Sequence, residues 1–187
     1  MKRLEHTSSM GLDLKSEKQA ELIKLMIDYN PSEQMRYSCY PERCITGNAP
    51  SLAKVAEQYG IENSLKWIVL QLNDFCNSIA FKEENKPQLV EMKQIARLMF
   101  NRYFHLKLSE VMLFFNNLKC GDYGALYGRL DVIQVFNALN KFMKQRGSII
   151  DKIDKQRQEQ QRQEAKKNAI SYQEYLARKN KTQYKAI

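Results

Sequence analysis

The sequence predicts an all-α protein, a compact bundle of about five helices with a protruding basic helical tail at its C-terminal end. Three observations carry this. Apolar residues recur at three- and four-residue steps through several long segments. Only 7 Gly and 4 Pro occur in 187 residues, and they gather between those segments, too few for the turns that many short strands need. After Ile153 a stretch without apolar residues, 154–164, continues in helix-forming residues. The expected organisation is a loosely ordered N-terminus over 1–15, a helical domain over 16–147 and a basic polar helical tail over 148–187.

Taken in order, the first helix is expected after Ser16, where Ser16 and Gln19 have the spacing of a capping box. Leu22, Ile23, Met26 and Ile27 make its apolar face, and Asn30-Pro31 stops it. Residues 31–50, PSEQMRYSCYPERCITGNAP, read as a long connector anchored by Tyr37, Tyr40 and Ile45. Ser51 caps a short helix over 51–59, which Gly60 ends. The next helix, over 64–80, carries the clearest stripe: Leu65, Ile68, Val69, Leu72, Phe75, Cys76 and Ile79. Trp67 and Leu70 lie off that stripe and face a second neighbour.

A charged turn over 81–87 leads to a helix over 88–104, with Met92, Ile95, Ala96, Met99 and Tyr103 inward. Ser109 opens the segment over 109–118. Val111, Met112, Leu113, Phe114 and Phe115 make it apolar nearly all round, which marks a central, fully buried helix. A glycine- and tyrosine-rich connector over 120–131 follows, and Asp131 caps a helix over 131–146 that Gly147 ends. Residues 154–164 have no apolar side chain, so packing cannot hold them. Ser171 and Glu174 repeat the capping-box spacing and start a short tail helix.

The net charge is +9, and it is placed unevenly. Residues 151–187 hold ten basic against five acidic residues, over half of the excess. Such a segment attracts polyanions or serves solubility alone. No run of about 18 apolar residues is present, so no membrane span is expected. The first fifteen residues lack the apolar core of an export signal. A cytoplasmic location is therefore expected. The four cysteines are then expected to be reduced.

Little in the sequence points to catalysis. His105 lies beside Phe104 and Leu106 without an evident partner, and reads as structural. Cys39 and Cys44 have a spacing that zinc tolerates, but no second close pair completes a site, so no metal is expected. CGDYGALYG lacks the Lys-Ser/Thr of a phosphate loop, and no cofactor is expected. That connector reads either as a turn packed by Tyr123 and Tyr127, or as a contact loop in which Lys119, Tyr123, Tyr127 and Arg129 meet phosphate or bases. In the tail, Arg157, Arg162, Lys166, Lys167, Arg178, Lys179 and Lys181 supply charge, and Tyr172 and Tyr175 supply stacking surfaces. Glu159, Glu164 and Glu174 dilute the field, and a solvated charged helix is the plain alternative.

SLAKVAEQYG (51–60), WIVLQLND (67–74), LKLSEVMLFFNNLKCGDYGALYGRLD and the following VIQVFNALNKF (106–142) resemble a family of small helical proteins of Bacteroides-type bacteria, their phages and mobile elements. The likeness spans about 51–146. That family has no established activity, so it implies no site residues. By association alone the resemblance implies an accessory role in replication, such as helicase loading. The expected function is therefore a non-enzymatic accessory protein that binds nucleic acid. The alternative is a protein-interaction or virion-associated adaptor whose polar tail folds on a partner, and the expected partner is nucleic acid or an acidic protein.

Overall fold

The computed structural model describes residues 5–79, 82–124, 128–169 and 173–176. Every regular element among them is helical, and the one extended pairing is an isolated antiparallel bridge between Ser51 and Lys107. The chain divides into two units, Met1–Gly147 and Ser148–Ile187.

Helix α1 spans Glu5–Asp28. It begins well before Ser16, which lies inside the helix and caps nothing. Leu22, Leu25, Met26 and Tyr29 turn inward, while Ile23 and Ile27 are exposed. The inward set has its own three- and four-residue spacing, so the true face is rotated from the one the sequence suggests.

The long connector expected over 31–50 is in fact helical for much of its length. A 3-10 turn at Pro31–Glu33 leads into α2 (Gln34–Ser38) and α3 (Pro41–Thr46). Both prolines that look like breakers sit at the start of a helical turn, where the missing N–H costs nothing. These short pieces lift the helix count above five.

Helix α4 (Leu52–Tyr59) has the expected Ser51 cap, whose hydroxyl accepts the Lys54 N–H at 3.2 Å. Gly60 ends it at φ 91°, ψ 147°, a conformation that a side chain strongly disfavours. Helix α5 (Ile61–Ser78) buries Leu65, Ile68, Leu72, Phe75 and Cys76 as its stripe predicts. Trp67 is buried too, and its indole N–H donates to the Tyr29 carbonyl at 2.9 Å. Leu70 is 40% exposed. Helix α6 (Leu89–Tyr103) buries Met92, Ile95, Ala96, Met99 and Tyr103, all five of the expected residues.

Helix α7 (Leu108–Lys119) is the centre of the body. From Leu108 to Phe115 every side chain is buried. It packs on α2, α3 and α5. Phe114 meets Phe115, Phe142 and Tyr123 at ring separations of 5.0, 5.7 and 5.6 Å. Burying each such ring or leucine contributes about 1.5–3 kcal/mol. Its entry is stitched to α4: Leu108 N–H donates to Pro50 O, Leu52 N–H to Leu106 O and Ala53 N–H to Phe104 O, at 2.8–2.9 Å. Lys107, not Ser109, is the N-cap; Ser109 is buried and donates its hydroxyl to Cys44 O at 2.7 Å.

Helix α8 spans Val132–Asn168. Asp131 caps it by accepting the Gln134 N–H at 2.8 Å. Val135, Ala138, Leu139 and Phe142 are buried. Gly147 does not end this helix. A single interior glycine costs about 1 kcal/mol relative to alanine, too little to stop a helix with strong formers on both sides. In the second unit, residues 154–169 are exposed throughout, and 173–176 are again helical. The tail cap expected at Ser171 lies outside the described residues.

Candidate polyanion-binding residues

The connector between α7 and α8 uses its candidate residues internally. Lys119 is paired with Asp74 of α5, both side chains largely covered. Arg129 Nη2 donates to both carboxylate oxygens of Glu91, at 2.7 and 2.6 Å. The same carboxylate accepts the Gln88 N–H at 2.7 Å, closing the start of α6. The Arg129 hydrogen bond, followed by that backbone donor, holds the Glu91 carboxyl below its ordinary range. Tyr123 is 5% exposed and stacked on Phe114, with its ring planes 19° apart. Burial pushes its hydroxyl up to about 12. Its ring has no free face for a base, and the turn reading is the one the geometry favours for it. Tyr127 lies outside the described residues.

Three further cations of the first unit are also held. Arg146 Nε donates to Glu110 Oε1 at 2.6 Å, and the Glu110 side chain has no exposure. Lys107 Nζ donates to the carbonyls of Ile45 and Gly47, at 2.5 and 2.7 Å, closing the C-terminal end of α3. Lys141 Nζ donates to Tyr123 O at 2.6 Å.

The second unit differs. Arg157, Arg162, Lys166 and Lys167 are all exposed on α8. Arg157 lies 3.9 Å from Asp154, an exposed pair worth at most about 1 kcal/mol. Lys155, Arg162 and Lys166 are spaced by seven and four residues, which puts them on one helix face. Glu159 lies within that face and accepts from the Gln163 side chain at 3.2 Å. Tyr175 is 50% exposed. Tyr172, Arg178, Lys179 and Lys181 lie outside the described residues.

One cationic cluster has no counterpart in the sequence reading. A cavity of about 330 Å³ between α2 and α3 is lined by Arg36, Tyr37, Tyr40, Arg43, Cys44 and Asn48, among others, and by no carboxylate. The Arg43 guanidinium lies 4.7 Å from the centre of the Tyr40 ring. Cys44 is buried, donates to Tyr37 O at 3.1 Å, and is pushed up to about 11 by burial and then by the Glu110 charge. Arg36 lies on α2 and Arg43 on α3, so no single helical period marks the cluster.

Cys39 is exposed, whereas Cys44 and Cys76 are buried. His105 is exposed, with its ring edge-on to Phe104 at 5.8 Å. Among the described residues, no three His, Cys, Asp or Glu side chains gather as a metal site would require. No helix among them is long and apolar enough to cross a membrane.

Fold and surface thus define an all-helical protein with a cation-bearing distal helix. A family model described as "Family of unknown function (DUF6633)" matches residues 86–186, more than half of the chain, and the chain belongs to that family. No curated protein and no solved structure matches it.

Proposed function

We propose that this chain is a non-enzymatic accessory protein that binds nucleic acid through the phosphate backbone, using the distal part of α8. One contrast supports the reading most. Lys107, Lys119, Arg129, Lys141 and Arg146 of the first unit are committed to internal carbonyls or carboxylates. Arg157, Arg162, Lys166 and Lys167 are exposed in a segment with no apolar side to bury. Exposed cations gain by releasing counterions from a nucleic acid. A role beside replication, as the Bacteroides and phage resemblance implies, belongs to the same proposal.

The test is fluorescence anisotropy with labelled duplex across a salt series. Four phosphate contacts give a slope of log K against log salt of about −3.6. The variant carrying R157Q, R162Q, K166Q and K167Q is expected to lose most of that slope. Binding that ignores salt, or that the variant leaves intact, refutes the proposal.

A second reading, an adaptor for an acidic protein, draws on the outer face of α6. Leu89, Val90 and Leu98 are exposed there beside Lys93 and Arg97. An amphipathic acidic helix suits such a face. Capture of a protein that survives nuclease treatment and is lost on Val90→Asp favours this reading over the first.

A further inference from the structure

We infer that the cavity between α2 and α3 is a binding site for a nucleoside monophosphate group, either as a free nucleotide or as the phosphorylated end of a strand. This site does not depend on the role of the distal α8 cations.

The chemistry of the lining carries the assignment. Arg36 and Arg43 both line one cavity, and no carboxylate is among its lining residues. Guanidinium forks match phosphate oxygens in geometry as well as charge. Tyr40 is 59% exposed and holds the Arg43 guanidinium against its ring. The cation is therefore positioned before any ligand arrives, which lowers the ordering cost of binding. Tyr37 is fixed from behind, stacked on Tyr29 at 5.8 Å and donating its hydroxyl to Asp28 O at 3.3 Å. Two tyrosines on a shared rim give a base a π surface, and base–aromatic stacking contributes about 1–3 kcal/mol per base. The Asn48 amide adds both a donor and an acceptor.

Size points the same way. The cavity, about 330 Å³ and open to solvent, is large enough to admit one nucleotide. The lining holds no base or nucleophile suited to turnover. Its one thiol, Cys44, donates to a backbone carbonyl and stays protonated near neutral pH. The site therefore binds and does not react.

The cavity is also built on firm ground. Lys107 clamps the last carbonyls of α3, and Ser109 ties Cys44 to the central helix. The pieces that present Arg36 and Arg43 are thus anchored to α7, although the helices themselves are only five and six residues long.

Isothermal titration with adenosine 5′-monophosphate at low salt tests the assignment. Adenosine and inorganic phosphate serve as part-ligands. The expected result is saturable binding of the monophosphate, with each part-ligand weaker by about tenfold or more. R36Q and R43Q are each expected to weaken it by about tenfold, and Y40A by about fivefold or more. These side chains are exposed, and an unchanged helical circular-dichroism spectrum confirms that the variants fold. A 5′-phosphorylated tetranucleotide that binds more tightly than the monophosphate assigns the strand end, and a weaker one assigns the free nucleotide. No binding at about 5 mM, equal binding of adenosine and its monophosphate, or full affinity in both arginine variants overturns the inference.

Discussion

Glu110→Gln measures how far one buried carboxylate holds the first unit together. The Glu110 side chain has no exposure, and both its oxygens are used. Oε2 accepts the Lys107 N–H at 2.8 Å, which caps α7, and Oε1 accepts Arg146 Nε at 2.6 Å, which ties α8 to it. Removing one partner of a buried ion pair costs about 3–5 kcal/mol, because a charge is left behind in a poor solvent. Two features reduce that figure here. Arg146 retains 23% exposure, so water recovers part of its hydration. The glutamine oxygen also still accepts the backbone N–H. The expected loss for Glu110→Gln is then about 1.5–3 kcal/mol. Arg146→Met leaves the sealed carboxylate with one donor and should cost more, about 3–4 kcal/mol. The double variant should fall short of the sum by about 1–2 kcal/mol, since both changes break one contact. Urea unfolding followed by fluorescence of the buried Trp67 reads all three. Single losses below about 0.5 kcal/mol, or additivity within about 0.3–0.5 kcal/mol, would refute the pairing as a structural tie.

Two further predictions follow from the same body. Burial raises Tyr37 and Tyr123 from an ordinary 10.0 to about 12, and Cys44 and Cys76 from 9.0 to about 11. In each case the folded state keeps its proton where the unfolded chain loses it, so this stability is complete below pH 9 and lost as pH rises through 9–12; a melting temperature still level at pH 11 would contradict the burial. Gly47→Ala would set a Cβ 2.6 Å from the Arg43 carbonyl oxygen, which should cost about 1–3 kcal/mol in urea unfolding; a neutral result would show that the α3 end gives way easily.

The legible parts of the fold were those where one residue type repeats along one face. α6 buries every side chain that its periodicity marks, α5 buries five of its seven with Val69 and Ile79 partly buried, and α7 is buried because it is apolar nearly all round. The misread parts turn on single residues with two meanings. Pro31 and Pro41 stop one helix and begin another, and the starting role wins because each follows a residue in an extended or non-helical conformation. Gly147 resembles a terminator, but nothing after it favours a turn over the glutamine- and lysine-rich helix that continues. The candidate site was harder to read, since its partners are remote in sequence. Asp74 and Glu91 lie 45 and 38 residues from the cations they neutralise, and no local pattern announces them. Tyr123 shows the same difficulty, because its stacking on Phe114 depends on how the turn folds back.

Those remote partners also sharpen what the surface can do. A count of Lys and Arg overstates the cations open to a ligand, because in the first unit five of them are bound to carbonyls or carboxylates that cannot release them without cost. Among the cations that remain exposed, two groups are proposed to meet phosphate: the distal α8 cations and the Arg36–Arg43 pair. They differ in kind. The α8 group is an open, exposed row whose attraction is screened by salt, so its affinity depends on ionic strength and on the number of phosphates in reach. The arginine pair lines an open cavity beside two tyrosines, where affinity also depends on a single ligand's shape. Charge-neutral substitutions in α8 should therefore flatten the salt slope for duplex and leave monophosphate affinity alone, while R36Q and R43Q do the reverse. If either set of substitutions moved both quantities together, the two roles would not be independent.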